Sequence, residues 1–119
     1  MDATLTPPRL APALEMMLSV VKQAIDQLEE APDGQLAVRN VGTLLSNILE
    51  VVEDDQRIHD GVDGVYSAAL GLRETLDKSG DGAVVERRRR MLATSLDTLR
   101  NSLAHAKPNA VGRARHVVW

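Results

Sequence analysis

The sequence predicts an all-α protein, an antiparallel four-helix bundle, on three observations. Four apolar runs fill the 119 residues almost end to end, each roughly twenty positions long, the length of a bundle helix. Within them apolar residues recur alternately three and four apart, as in Leu14, Leu18, Val21, Ile25, Leu28 and in Ile58, Val62, Val65, Ala69, Leu72, Leu76. Such 3-4 stripes seam helices packed on helices. Finally, strong turn signals separate the runs at Ala31-Pro32-Asp33 and at Lys78-Ser79-Gly80-Asp81-Gly82, where proline and glycine stop a helix.

The first helix enters at Thr6, Pro7 and Pro8, because proline fits a first turn whose N–H groups have no helical partner. Pro12 is expected to fall early enough to be accommodated, and Glu29 to Pro32 close the helix. Asp33 is placed to cap the second helix, whose apolar positions Val38, Val41, Leu44, Leu45, Ile48, Val51 and Val52 cover much of its circumference. That breadth predicts the most buried helix of the four.

The next boundary has two readings, since Glu53, Asp54, Asp55 and Gln56 contain no glycine or proline. Asp54 or Asp55 caps a new helix after a tight turn, or one helix of roughly forty residues, about 60 Å long, runs through. The second reading makes a three-helix, dimeric protein, because only another chain covers the middle of such a rod. Nearly equal run lengths favour the turn, as a closed bundle requires. In the third run Gly61, Gly64 and Gly71 each cost up to about 1 kcal/mol against alanine, which points to close approach of a neighbouring helix. Asp81 is placed to cap the last helix, which carries Val85, Leu92, Leu96, Leu99, Leu103 and Ala106 on one face and stops before Pro108. The division is a bundle over 1–107 and a basic, apolar-ended tail over 108–119.

Composition narrows the function. Hydrophobic content of 44% and charge of 26% fit a soluble single-core domain, while 2% aromatic leaves one Tyr, one Trp and no Phe. Recognition of single-stranded bases by stacking is thereby disfavoured. Absence of cysteine removes disulfides, thiolate catalysis and cysteine zinc sites and fits a reducing, cytoplasmic setting. The first ten residues hold no apolar signal core. The longest nearly uncharged segment, Val41 to Val52, has twelve residues with Glu50 inside it, against about twenty for a membrane span. No membrane association and no cofactor are expected. Net charge is −3, split between eleven acids and four bases in residues 1–60 and six acids and ten bases in 61–119. This asymmetry points to an acidic partner or head-to-tail association, or to attraction between the second and fourth helices.

Arg87 to Arg90 is the densest charge. Successive helical residues point 100° apart, so the four do not make one flat patch. Arg89 extrapolates onto the core stripe and must snorkel or pair with an acid, leaving Arg87, Arg88 and Arg90 for an acidic partner or nucleic acid. Asp55, His59 and Asp63 share a face at metal-ligand spacing, but a hydrated charged face is the expectation. Gln56, Ser102 and Arg113 stand three before the histidines, where carboxylate-bridged two-metal bundles need Glu. No metal is expected. The tail residues Arg113, Arg115 and Trp119 form a candidate linear motif, with folding back onto a bundle end or fraying as alternatives.

The segment Leu99-Arg100-Asn101-Ser102-Leu103-Ala104-His105-Ala106 resembles the Arg-x4-to-6-His motif of HEPN-domain ribonucleases over eight residues. The resemblance implies a dimerising helical bundle that cleaves RNA without metal, with His105 in proton transfer, Arg100 stabilising phosphorane-like charge and Asn101 holding the geometry. Here Pro108 follows where the family has a further helix.

Surplus apolar residues give a non-catalytic reading: Leu10, Met17 and Ala24 lie beside the first stripe, and Tyr66 and Leu70 flank the third. The expected role is an intracellular adaptor, chaperone or regulatory subunit that binds a protein partner or forms a homodimer. The ribonuclease or toxin, and nucleic-acid binding through Arg87 to Arg90, are its alternatives.

Overall fold

The computed structural model describes residues 6–78 and 80–108, with side chains from Leu10 onward. Helix starts fall where short carboxylate side chains satisfy the free N–H groups of a first turn. Asp33 accepts from the Leu36 N–H at 3.1 Å and Asp55 from the Arg57 N–H at 2.9 Å. Four helices result among the described residues: α1 Thr6–Leu28, α2 Gly34–Val51, α3 Gln56–Asp77 and α4 Gly82–Leu103. The through-running forty-residue helix is therefore excluded, because Val52 is extended at φ −113°, ψ 154° and the chain turns before Asp55. Asp81 stands at the cap position of α4, yet only its carbonyl bonds the helix, accepting from the Val85 N–H at 3.0 Å. Pro12 lies beyond the first turn, inside a helix that begins at Thr6. It denies a donor to the carbonyl four residues earlier, a loss tolerated here at an exposed position.

Consecutive helices run antiparallel. Gly34 lies against Arg73 and Gly42 against Tyr66, while Gly61 lies against Leu99 and Gly71 against Arg88, so residue numbers fall on one helix as they rise on the next. The most extensive packing joins α3 to α4, followed by α1 with α2 and α2 with α3; α1 and α4 touch little. Gly61 serves the close approach expected of it. A Cβ there would stand 3.1 Å from Leu99 Cδ1 and 3.3 Å from Leu99 Cα.

The core is aliphatic throughout, from Leu14, Leu18, Val21 and Leu28 of α1 to Leu92, Leu96, Leu99 and Leu103 of α4. Contrary to the expectation for α2, that helix buries four residues and α3 buries six. Packing explains the difference: both helices lie between two neighbours, but α3 forms the most extensive seam of the bundle, with α4, whereas Leu36 and Val51 of α2 remain 50% and 38% exposed.

Two tertiary ties complete the frame. Arg73 donates to the carbonyls of Leu28 at 2.8 Å and Ala31 at 2.7 Å, and to Asp77 Oδ1 at 3.0 Å. It thereby places a cation on the free carbonyls that end α1, where the helix dipole favours it. At the other end the Glu53 N–H donates to the Lys107 carbonyl at 2.6 Å, and Val52 pairs with Pro108 as an isolated antiparallel bridge. Lys107 and Pro108 are thus fastened to the α2–α3 turn. Among the described residues no helix is long and apolar enough to cross a membrane.

Candidate interaction face

The arginine run divides as its helical spacing requires. Arg89 makes a two-pronged pair with Glu29, Nε to Oε2 at 2.9 Å and Nη2 to Oε1 at 2.6 Å, and adds Nη1 to Glu86 Oε2 at 3.0 Å. Arg88 is half-buried beside Gly71, and Arg87 and Arg90 are exposed. No continuous cationic patch of four forms. The attraction expected between α2 and α4 is not a packing contact either, since those helices touch little; the Arg89–Glu29 pair instead ties α4 to the end of α1.

Hydrogen bonds from Arg89 hold the Glu29 carboxyl below the usual carboxylate range, partial burial opposes them, and the guanidinium charge adds to the lowering. The same bonds, first from Glu29 and then from Glu86, push the Arg89 guanidinium still higher than usual. A carboxyl lowered on folding stabilises the fold above its unfolded pKa, about 4.3 for Glu, and loses that contribution as pH falls through the folded value. Glu29→Gln is accordingly expected to lower Tm by a few degrees near neutrality. The gap from wild type should narrow steadily below about pH 4, as calorimetry at a series of pH values will show. A gap independent of pH contradicts this account.

The ribonuclease-like residues are brought only partly together. Arg100 and Asn101 line a cleft of about 380 Å³ between α4 and the first half of α1, floored by Leu10, Leu14, Leu18 and Leu103. His105 lies past the α4 C-cap in an exposed turn, its N–H donating to the Ser102 carbonyl at 3.3 Å, and does not line the cleft. The metal-spaced trio is dispersed as well. Asp55 caps α3 and its Oδ1 lies 3.7 Å from Arg57 Nε, while His59 Nε2 meets Asp54 at 2.6 Å. Among the described residues no group of three His, Asp or Glu is placed to hold a metal ion.

The apolar candidates rearrange by one residue. Leu10, Met17 and Ala24 are half-buried against the core, whereas Met16, missed by the sequence reading, is 71% exposed. Neighbouring helical positions differ by 100°, enough to exchange an inward side chain for an outward one. Tyr66 and Leu70 are each 39% exposed. The Tyr66 ring occupies the space a Cβ at Gly42 would fill, 2.9 Å from its Cε1, and Arg39 and Asp63 share its groove. Arg113, Arg115 and Trp119 lie outside the described residues.

Met16 belongs to a larger surface. On α1 the positions Met16, Val20, Ala24 and Gln27 follow one stripe, and on α2 Leu36, Asn40, Leu44, Asn47 and Val51 follow another. The two stripes adjoin, since Ala24 and Gln27 share a shallow hollow of about 140 Å³ with Leu36, Ala37 and Asn40, which Asp33 of the connecting turn also lines. No charged residue stands in either stripe, in a chain of which 26% is charged. The signal was legible as two i, i+4 series of uncharged residues, but nothing local says that the two series meet.

Compared with protein-family models, curated proteins and solved structures, the chain matches none.

Proposed function

We propose that this protein is a non-catalytic, intracellular interaction module that binds a protein partner through the α1/α2 face. The observation that carries the reading is the uncharged surface joining Met16, Val20, Leu36 and Val51, which are 71%, 40%, 50% and 38% exposed. Water contact with that much aliphatic surface is unfavourable, by about 25 cal/mol for each Å² that a partner would cover. Contiguous patches of this kind mark interaction sites more often than scattered apolar residues do. The absence of cysteine supports a reducing compartment. The ribonuclease alternative draws only on Arg100 and Asn101 facing a cleft that His105 does not line, and nucleic-acid binding draws on the exposed Arg87 and Arg90 alone.

Photo-crosslinking tests the face whatever its partner. A benzophenone side chain installed at Met16 should form protein adducts in cells, whereas one at the exposed Asp97 of α4 should form few. Equal yields from both positions, or none from either, would overturn the reading.

A further inference from the structure

We infer that the groove between α2 and α3 is a docking site for the chain's own segment 109–119, which lies back along it from the α2–α3 turn. The groove thereby takes a basic segment that ends in apolar residues, supplied in cis. This site is separate from the α1/α2 face.

The backbone sets the direction. The Glu53 N–H donates to the Lys107 carbonyl, and Val52 pairs antiparallel with Pro108. Rising residue numbers past 108 are thus opposed to falling numbers before 52, so the chain leaves Pro108 heading toward the last turn of α2. Val52, Leu49, Leu45 and Gly42 follow one another at three- and four-residue steps. The last three of these line, with Val62, Asp63 and Tyr66 of α3, a groove of about 390 Å³. Pro108 therefore stands at the end of that groove nearest the turn.

The segment is long enough. From the level of Val52 to that of Gly42, against which the Tyr66 ring lies, α2 rises about 15 Å. Eleven residues span roughly 16 Å as a helix and roughly 36 Å extended, so residues 117–119 reach Tyr66 in either form.

Charge and order are complementary as well. Residues 50–63, around the turn, hold six acids against one arginine, Arg57, whereas 109–119 holds Arg113 and Arg115 and no acid. In the segment the arginines come first and Val117, Val118 and Trp119 follow. The groove has the same order: Asp63 lines it one helical turn nearer the acidic end than Tyr66 does, and the Tyr66 side chain remains 39% exposed. An indole laid against that ring and the neighbouring leucine gains aromatic contact and apolar burial together. Arg39 also lines the groove, but it lies beyond Gly42, at the end away from the acids.

Trp119 is the single tryptophan, so the intrinsic fluorescence of the full chain reads its surroundings directly. Its emission should be blue-shifted, and its quenching by acrylamide several-fold weaker, relative to the free peptide 109–119. Asp63→Lys, at an exposed site, should move the emission to the red with helicity by circular dichroism unchanged, and Asp97→Lys on α4 should leave it in place. In this cysteine-free chain, Thr43→Cys with Val118→Cys should close an intramolecular disulfide. Closure should be about tenfold or more faster than for Glu15→Cys with Val118→Cys, which probes the α1/α4 cleft, because docking raises the local concentration of one thiol about the other. Emission equal to that of the free peptide overturns the inference. A blue shift indifferent to Asp63→Lys, or preferred closure onto Glu15→Cys, also overturns it by putting Trp119 elsewhere. Disulfides that chiefly link two chains, with a blue shift that grows with concentration, place the segment on another molecule and overturn it too.

Discussion

Leu99→Ala is expected to destabilise the protein by about 4 kcal/mol, in the upper part of the range for buried leucines, and to lower Tm by roughly 15 °C. Leu99 is fully buried on α4, and what faces it is Gly61, whose missing Cβ would sit 3.1 Å from its Cδ1. Truncation therefore opens a void against a residue with no side chain to move into it, and the cost of a cavity grows with the volume that fails to collapse. Gly61→Ala offers the complementary measurement. In the wild-type background its gain in helix propensity, about 1 kcal/mol, is opposed by crowding against Leu99. In the Leu99→Ala background the Cδ1 obstruction is gone, so the double variant should be more stable than Leu99→Ala alone. Denaturant melts of the four proteins give the coupling directly. Strict additivity would show that the α3–α4 approach is looser than these distances describe.

Arg73→Ala should cost about 2–3 kcal/mol, because it removes charge-assisted hydrogen bonds and leaves part-buried carbonyls without this donor. The Arg73 side chain is 13% exposed, and its guanidinium joins the Leu28 and Ala31 carbonyls to α3. Arg73→Lys retains charge but not the planar guanidinium, whose Nη1 serves both carbonyls while Nε bonds Asp77, and should recover only part of the loss. Hydrogen exchange adds a local readout: amides near Leu28 to Ala31 should exchange faster in both variants. Gly34→Ala perturbs the same tie from α2, since its Cβ would stand 2.5 Å from Arg73 Nε. A Tm for Arg73→Ala within a degree of wild type would show that the bonds contribute nothing.

Much of the fold was legible because helices announce themselves locally. Leu14 to Leu28 and Ile58 to Leu72 project their stripes by spacing alone, and most of their members are buried together. Arg89 was likewise legible: helical extrapolation put it beside the core and in need of an acid, though Glu29 as that acid was not legible. The α2–α3 boundary was ambiguous because no glycine or proline marks it. Its closure rests on the Asp55 cap and on Glu53 bonding Lys107, 54 residues away. The tie from Arg73 to α1 gave no signal, since its partners there are backbone carbonyls 42 and 45 residues distant, and every sequence has carbonyls; only the Asp77 partner four residues on was local. On the candidate face the sequence reading named Met17, which packs inward, and passed over Met16.

Periodicity, composition and capping residues were enough to specify helices of about twenty residues with aliphatic inner faces. Those properties are written residue by residue, in side chains that need only their own turn of helix to express them. The pairing of α3 with α4 as the tightest seam, the near-absence of contact between α1 and α4, and the meeting of two uncharged stripes across α1 and α2 arose only on folding. Each depends on which helices become neighbours and at what rotation, a choice made by the summed packing of the whole core rather than by any one segment.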